Sequence, residues 1–427
     1  MRIAALLLTT LLACTVGNAH ATPRDTAQQL IDHLQAGRTD AAEAMFTAQM
    51  AAAVPADRLK VLWDSLGALQ SRGEPQITEQ QGMQVVAWPL QFANGAVVAQ
   101  VVVDAQDKVA GLMLRPAPPT AAPPVPPHAG YSEVAFDVPQ ARGALPGTLA
   151  VPQGKGPFPA VVLVHGSGPQ DRDETIGGSR PFLDIARGLA AQGIAVLRYE
   201  KRSHAHPEQF QGSFSIDDET TDDAVAAVAA LAADARVDGA RVFVLGHSLG
   251  GMMAPRIASR AAQARGAILW AAPARDLLAL LAEQNRYLFG LDGSISSEEQ
   301  AFLDTLDAQI AAARSSAPAT PAQLPLGVPQ AYWHSLLAVD ARAEAKALGK
   351  PMLMLQGGRD FQVPDTDWTL WQQALQGRTD VQWQRFAELN HLGIAGTGAS
   401  SLQEYGRAGH VDTRLVDTVA GWVKAQR

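Results

Sequence analysis

Between Ala160 and Leu355 the chain repeats a short, uninterrupted apolar run, and that repetition narrows its fold to one class. Ala160–Val164 comes first, followed by Ile194–Tyr199 (broken only by Arg198), Val242–Leu245, Ala267–Trp270 and Met352–Leu355. A strand with one wet face alternates apolar and polar residues, whereas a continuous run belongs in a strand covered on both faces. Helical stretches, Phe182–Gln192 and Ile216–Ala233, separate the runs. Asp217, Asp218 and Glu219 open the second stretch, where they suit the positive end of a helix dipole. The rhythm predicts an α/β fold, a mostly parallel sheet with helices on both faces. It breaks between Pro273 and Gly349, where the spacing predicts three amphipathic helices over Asp276–Phe289, Ser297–Arg314 and Gln330–Leu348. An insertion so late in such a sheet, at about residues 274–348, is expected to form a helical cap.

A second boundary lies further forward. Seven of the twelve residues from Pro116 to Pro127 are proline, which favours an extended, semi-rigid spacer. The expected organisation is a small α+β accessory domain over 22–115, a linker over 116–130 and the α/β domain over 131–427. In the front domain Ala27, Leu30, Ile31 and Leu34 recur at helical spacing. Met45, Phe46 and Met50 continue the theme, and Pro55 is expected to open a third helix. Met83–Phe92, Ala96–Val103 and Lys108–Leu114 read as strands, the first two joined by Asn94-Gly95. The domain holds a single histidine, His33, and no cluster of convergent acids, so it is expected to be an accessory module.

Residues 1–21 read as an export signal: Arg2, the apolar run Ile3–Leu12, and Ala19-His20-Ala21 as a cleavage site before Thr22. The run is too short to anchor a mature chain across a bilayer. The expected location is periplasmic or secreted. The only cysteine, Cys14, sits in Leu11-Leu12-Ala13-Cys14, which resembles a lipoprotein cleavage box, so lipid attachment at Cys14 is the alternative. On either path no cysteine is available for a disulfide or a thiol nucleophile. Net charge is −8 and basic runs are absent, which argues against a nucleic-acid partner. Membrane contact is expected only through Cys14.

The chemistry is concentrated in the α/β half. Gly246-His247-Ser248-Leu249-Gly250 is G-x-S-x-G, placed between the strand Val242–Leu245 and a helical segment with Met252, Met253 and Ile257. A sharp strand-to-helix turn exposes the serine hydroxyl, and glycines on either side relieve the crowding. Ser248 is therefore the expected nucleophile. A serine needs a base, itself oriented by an acid. Asp360 follows the strand Met352–Leu355 closely and is the expected acid. Its rivals Asp365 and Asp367 lie past Pro364 and are expected to be surface acids at a helix start. His391 follows the strand Val381–Phe386 and a short loop and is the expected base; His410 is expected at the surface. For an oxyanion, the Leu249 N–H is one expected donor and the Ser167 N–H the other, with Gly168 as its alternative. His165 is expected to brace that loop.

HGSGPQDRDE (165–174), VLRYEKR (196–202), GHSLGG (246–251), LQGGRDFQV (355–363) and LNHLG (389–393) resemble the EstD-type bacterial esterases of the α/β-hydrolase superfamily. These are relatives of dienelactone hydrolases and prolyl-oligopeptidase-like enzymes. The likeness spans Tyr131–Arg427, and the front domain resembles small cone-shaped α+β domains of the nuclear-transport-factor kind. It implies a Ser248–Asp360–His391 triad cleaving small carboxylic esters, with short acyl chains, through an acyl-enzyme. No cofactor is implied, and no metal-ligand cluster is visible. Glu200 stands where aspartate is commoner in the strand-end motif. Asp171-Arg172-Asp173 is either a pocket or positioning loop, or a solvated one held by ion pairs. Tyr199 either lines the site or packs in the core. Tyr287, Phe289, Tyr332 and Trp333 are candidates for the acyl pocket, with helix packing as the alternative. Thioester or amide chemistry on the same triad, or a non-catalytic binding protein, are the rival functions.

Overall fold

The computed structural model describes residues 22–80, 83–92, 95–116 and 130–426. The expected export signal with Cys14, Asn94 of the hairpin turn, and 117–129 of the proline-rich stretch lie outside the described residues. The chain forms two compact units, Met1–Pro118 and Pro119–Arg427.

The first unit begins with four short helices, Pro23–Gln35, Thr39–Glu43, Ala48–Ala53 and Ala56–Ser65, not the three that periodicity predicts. Met45 and Phe46 are not helical. Phe46 bridges to Val109, and Thr47 caps a new helix by accepting from the Met50 N–H at 3.2 Å. Pro55 is the N-cap of the fourth helix, not its first residue, because its ψ of 161° is still extended. The sheet holds β1 (Leu69–Arg72), β2 (Gln76–Gln80), β3 (Met83–Phe92), β4 (Gly95–Val103) and β5 (Val109–Pro116). Its order is β1-β3-β4-β5, with β2 also paired to β3. The sequences LQSR and QITEQ of β1 and β2 lack apolar alternation, so their pairing is set by β3 and not by their own pattern. Ala27, Leu30, Ile31 and Leu34 pack against Val86, Trp88, Ala99 and Val101 to form the core of this unit.

The second unit is an eight-stranded sheet. Its strands are β6 (Tyr131–Ala135), β7 (Gly147–Pro152), β8 (Phe158–Val164), β9 (Ala195–Tyr199), β10 (Val237–His247), β11 (Ala264–Trp270), β12 (Met352–Gly357) and β13 (Val381–Phe386). The order is β13-β12-β11-β10-β8-β9-β7-β6. β8 through β13 run parallel, and β6 and β7 close one edge antiparallel. The uninterrupted runs have the predicted cause. Along β8, Val162 and Val164 point into one core with Val228, Met253 and Ile257. Val161 and Leu163 point into the opposite core with Phe182, Ile185, Val419 and Trp422. Helices Asp222–Ala232 and Leu249–Arg260 cover the first face, Pro181–Ala191 and Thr413–Ala425 the second.

Between β11 and β12 lie helices Leu277–Phe289, Ser297–Arg314, Gln330–Leu337 and Ala341–Ala347. The predicted third cap helix is thus split in two. Asp340 caps the second piece, its carboxylate accepting from the Ala343 N–H at 3.0 Å, which starts a new helix in mid-segment.

Asp367 departs from expectation. It is fully buried, not a surface acid. Its carboxylate accepts from the backbone N–H groups of Ala274 and Arg275, at 2.8 and 3.0 Å, and from the Arg275 guanidinium at 2.7 Å. It therefore ties the start of the cap insertion to the helix after Asp360. Asp367→Ala is expected to cost about 3 kcal/mol of stability, because it strands buried donors; urea unfolding measures this. Asp365, by contrast, is exposed and pairs with Arg385.

Candidate active site

Parallel strands bring their C-terminal ends to one edge, so loops far apart in sequence meet there. β10 pairs with β8 through Gly246 and Val164, and with β11 through His247 and Trp270. Ser248 follows directly, with φ +53° and ψ −119°, before the helix Leu249–Arg260 begins. That backbone is strained for a residue with a side chain. The two glycines make the turn feasible: a Cβ at Gly246 would lie 2.0 Å from the Gly250 carbonyl oxygen, and one at Gly250 2.2 Å from that of Val164. The Ser248 N–H is held by the Trp270 carbonyl at 2.9 Å.

Asp360 follows β12 and His391 follows β13. His391 Nδ1 lies 2.8 Å from Asp360 Oδ2, with both side chains buried. Asp360 Oδ1 accepts from the backbone N–H groups of Gln362 and Val363, each at 2.9 Å, and Oδ2 also accepts from Gln356 Nε2 at 3.2 Å. This leaves the carboxylate one orientation. The His391 loop is shaped by Asn390, whose Oδ1 accepts from the N–H groups of Leu392 and Ile394. The ring of His247, next to Ser248, lies 4.7 Å from the ring of His391. The Ser248 hydroxyl makes no hydrogen bond within 3.5 Å among the described residues; such serine–histidine contacts are commonly loose before substrate binds.

Leu249 opens its helix, so its N–H has no intrahelical acceptor. Ser167 and Gly168 line the same cavity as Ser248. Gly166 is excluded as a donor because its N–H is already bound to Glu174 Oε1 at 2.6 Å.

Glu174 is a site residue that motif reading missed. It is fully buried and carries φ +52°. Its Oε2 lies 2.9 Å from His247 Nδ1, and His247 Nε2 lies 2.9 Å from the His391 carbonyl oxygen. An imidazolium donating at both nitrogens to a carboxylate and a carbonyl satisfies both contacts, and with Glu174 lowered and His247 raised the two form a buried ion pair. It links the loop after β8, the turn at Ser248 and the loop of His391. Lys201 completes the brace by donating to the Gly166 carbonyl at 2.7 Å. For Glu174, burial pushes the carboxyl up, but the charge of His247 and its hydrogen bond prevail and lower the pKa. For His247, burial pushes it down, but the charge and hydrogen bond of Glu174, helped by the His391 carbonyl, prevail and raise it.

The signs define a pH window. The lowered Glu174 contributes fully above its ordinary 4.5, and the raised His247 contributes fully below its ordinary 6.5. The pair's stabilisation is thus complete between these values. It is lost as pH rises through the folded pKa of His247, or falls through that of Glu174. Glu174→Gln is expected to lower stability near pH 6 by about 3 kcal/mol and to flatten the decline above pH 6.5. Urea melts of both proteins across pH would show it; parallel curves would remove the ion pair from the account.

The remaining candidates sort by contact. His165 packs between Phe182 and Tyr199, and burial pushes its pKa down to about 4, so it braces the loop as a neutral ring. Tyr199 is a packed core aromatic. Asp171 accepts from the N–H groups of Asp173 and Thr175, while Arg172 pairs with Glu200 and Asp173 with Arg198. This loop is held by ion pairs and serves to present Glu174. His410 is exposed beside Asp184. Tyr287 stacks on Phe361 and Phe289 meets Phe302 edge-on, whereas Tyr332 and Trp333 line the cavity over Ser248. That cavity measures about 420 Å³, and its apolar wall includes Phe210, Phe214, Leu277 and Leu280. Among the described residues no group of three or more His, Cys, Asp or Glu is placed to hold a metal ion.

A parallel sheet under a helical cap, with a serine on a strained strand-to-helix turn and a His–Asp pair on later strand ends, defines a serine hydrolase of the α/β type. The chain belongs to the alpha/beta hydrolase family, whose match covers residues 161–410. Residues 27–112 match a family described as a protein of unknown function (DUF3887). Esterase EstD of Thermotoga maritima is 38% identical over 400 residues, covering 92% of this chain and 93% of the relative. Among solved structures, Est1E of Butyrivibrio proteoclasticus is similar at 15% identity and a TM-score of 0.44, over 70% of this chain and 99% of that one. An esterase of Pyrococcus furiosus is similar at 14% identity and a TM-score of 0.46, over 72% and 96%. These structural likenesses are too remote to bear on substrate.

Proposed function

We propose that the protein is a carboxylic-ester hydrolase working through an acyl-enzyme on Ser248. The observation that carries this reading is the buried His391–Asp360 hydrogen bond of 2.8 Å, on a ring 4.7 Å from that of His247, the residue before a serine on a strained turn. His391 Nε2 takes the Ser248 proton as the oxygen attacks the ester carbonyl, and the tetrahedral oxyanion is held by the Leu249 and Ser167 N–H groups. The imidazolium then protonates the leaving alcohol. Water, deprotonated by His391, attacks the acyl-enzyme and restores the serine. Asp360 keeps the proton on Nδ1 so that Nε2 faces the reaction. The 38% identity to esterase EstD supports ester substrates.

Short acyl groups are proposed for the acyl half of the substrate, the class that the resemblance to EstD-type esterases implies. The value of kcat/KM is expected to peak between p-nitrophenyl acetate and butyrate and to fall about tenfold or more by the dodecanoate. A rising profile would contradict this. A serine-reactive phosphonate should add to Ser248 alone, as peptide mass mapping would show.

We also infer export, supported by Arg2, the run Ile3–Leu12 and Ala19-His20-Ala21. Cleavage there yields a mature chain starting at Thr22, whereas a lipidated Cys14 would appear as an acylated N-terminus. Mass spectrometry of the processed protein separates the two. The front unit is proposed to be an accessory domain.

A further inference from the structure

One corner of the cavity over Ser248 gathers a carboxylate and hydroxyl groups in a mostly apolar wall. Glu219, Ser203 and Tyr332 all line it. Glu219 is 5% exposed, and a carboxylate is not placed in an apolar wall without compensation. Lys201 Nζ supplies the counter-charge at 2.8 Å from Glu219 Oε1, with both side chains almost wholly buried. Ser203 Oγ donates to the same oxygen at 3.2 Å, and Thr220 Oγ1 donates to Oε2 at 3.0 Å. Tyr332 lines the same corner, and burial, followed by the charge of Glu219, raises its pKa and keeps the phenol protonated.

This arrangement sets the polarity of the corner. Glu219 takes the Ser203 proton, so the Ser203 oxygen retains lone pairs that accept nothing among the described residues, and the protonated Tyr332 hydroxyl lines the cavity with it. The corner is therefore an acceptor for a neutral donor. A cationic partner is not demanded, since Lys201 already neutralises the carboxylate. A purely alkyl ligand would desolvate these oxygens and leave them unpaired, which costs binding.

We propose that Ser203, with its proton held by Glu219, and Tyr332 beside it form a specificity subsite for a hydroxyl group on the part of the ester seated in the cavity. This rests on the ester-hydrolase reading above. The substrate class is hydroxylated carboxylic esters, with the hydroxyl several bonds from the scissile carbonyl. The acyl side and the alcohol side share this chemistry, and paired substrates separate them.

The acyl-side test uses methyl esters of butanoic, hexanoic and octanoic acids against their ω-hydroxy counterparts. The alcohol-side test uses butyl, pentyl and hexyl acetates against the monoacetates of the matching diols. Rates come from pH-stat titration of wild type, Ser203→Ala, Tyr332→Phe and the double variant. The readout is the ratio of kcat/KM, hydroxylated over unsubstituted, within each protein, so a general loss of activity cancels. The wild type is expected to show a ratio of about ten or more at one length in one arm, the size of a well-made hydrogen bond. Each single variant should lower that ratio several-fold, and the double variant should bring it near one. The arm with the preference identifies which half of the ester occupies the cavity. A wild-type ratio near one in both arms, or a ratio unchanged in the double variant, overturns the subsite. Cleavage of unsubstituted esters by wild type but not by Ser248→Ala would keep the hydrolase reading intact even then.

Discussion

Ser248→Ala is expected to lower kcat/KM toward p-nitrophenyl butyrate by on the order of 10⁶-fold, leaving only what substrate positioning and the oxyanion donors supply. The loss follows from the mechanism: without the oxygen no acyl-enzyme forms, and water has no serine position from which to attack. Stability should scarcely change, within about 0.5 kcal/mol, because the Ser248 hydroxyl makes no hydrogen bond among the described residues. The backbone strain at φ +53° is borne equally by alanine. The test therefore has two halves, initial rates and a thermal melt. A variant that melts like wild type and still turns over the ester at the full rate would remove Ser248 as nucleophile.

Asp360→Asn should cost about 10⁴-fold in kcat with a much smaller change in KM, and the surrounding bonds say why. The Oδ1 position accepts two backbone N–H groups, from Gln362 and Val363, so the asparagine oxygen must stay there. Its NH₂ is then forced onto the Oδ2 position, 2.8 Å from His391 Nδ1. The ring must answer with a lone pair on Nδ1, which moves its proton to Nε2, where it faces Ser248 and blocks general-base action. Shape and binding are preserved while the tautomer is wrong. Equal losses in kcat and in substrate affinity would instead indicate that the loop had collapsed.

The reacting residues and the charges that brace them differ in how visible they are in the sequence. Ser248, Asp360 and His391 each follow a strongly apolar strand and sit among glycines, and both signals are local. Glu174 carried no such signal. It lies in a charged stretch, Asp171-Arg172-Asp173-Glu174, where three of the four residues form outer ion pairs or turns and one enters the core. Nothing in its neighbours distinguishes it; its partner His247 is 73 residues away. Asp367 is hidden in the sequence for the same reason. An acid at a helix start normally serves the dipole, but the donors that bury this one come from Ala274 and Arg275. The edge strands β6 and β7 and the polar strands β1 and β2 were unmarked because a neighbour's hydrogen bonds define them more than their own pattern does.

By itself, then, the sequence determined which chemistry the chain carries and on what kind of sheet. Apolar runs fix buried strands, and turn residues fix what stands at their ends. Tertiary structure alone decided the electrostatics around that chemistry. It put Glu174 against His247, Asp367 under the cap and the Lys201–Glu219 pair in the cavity wall. The physical reason is that a buried charge is tolerable only beside a partner, and these partners come from distant segments that the fold brings together.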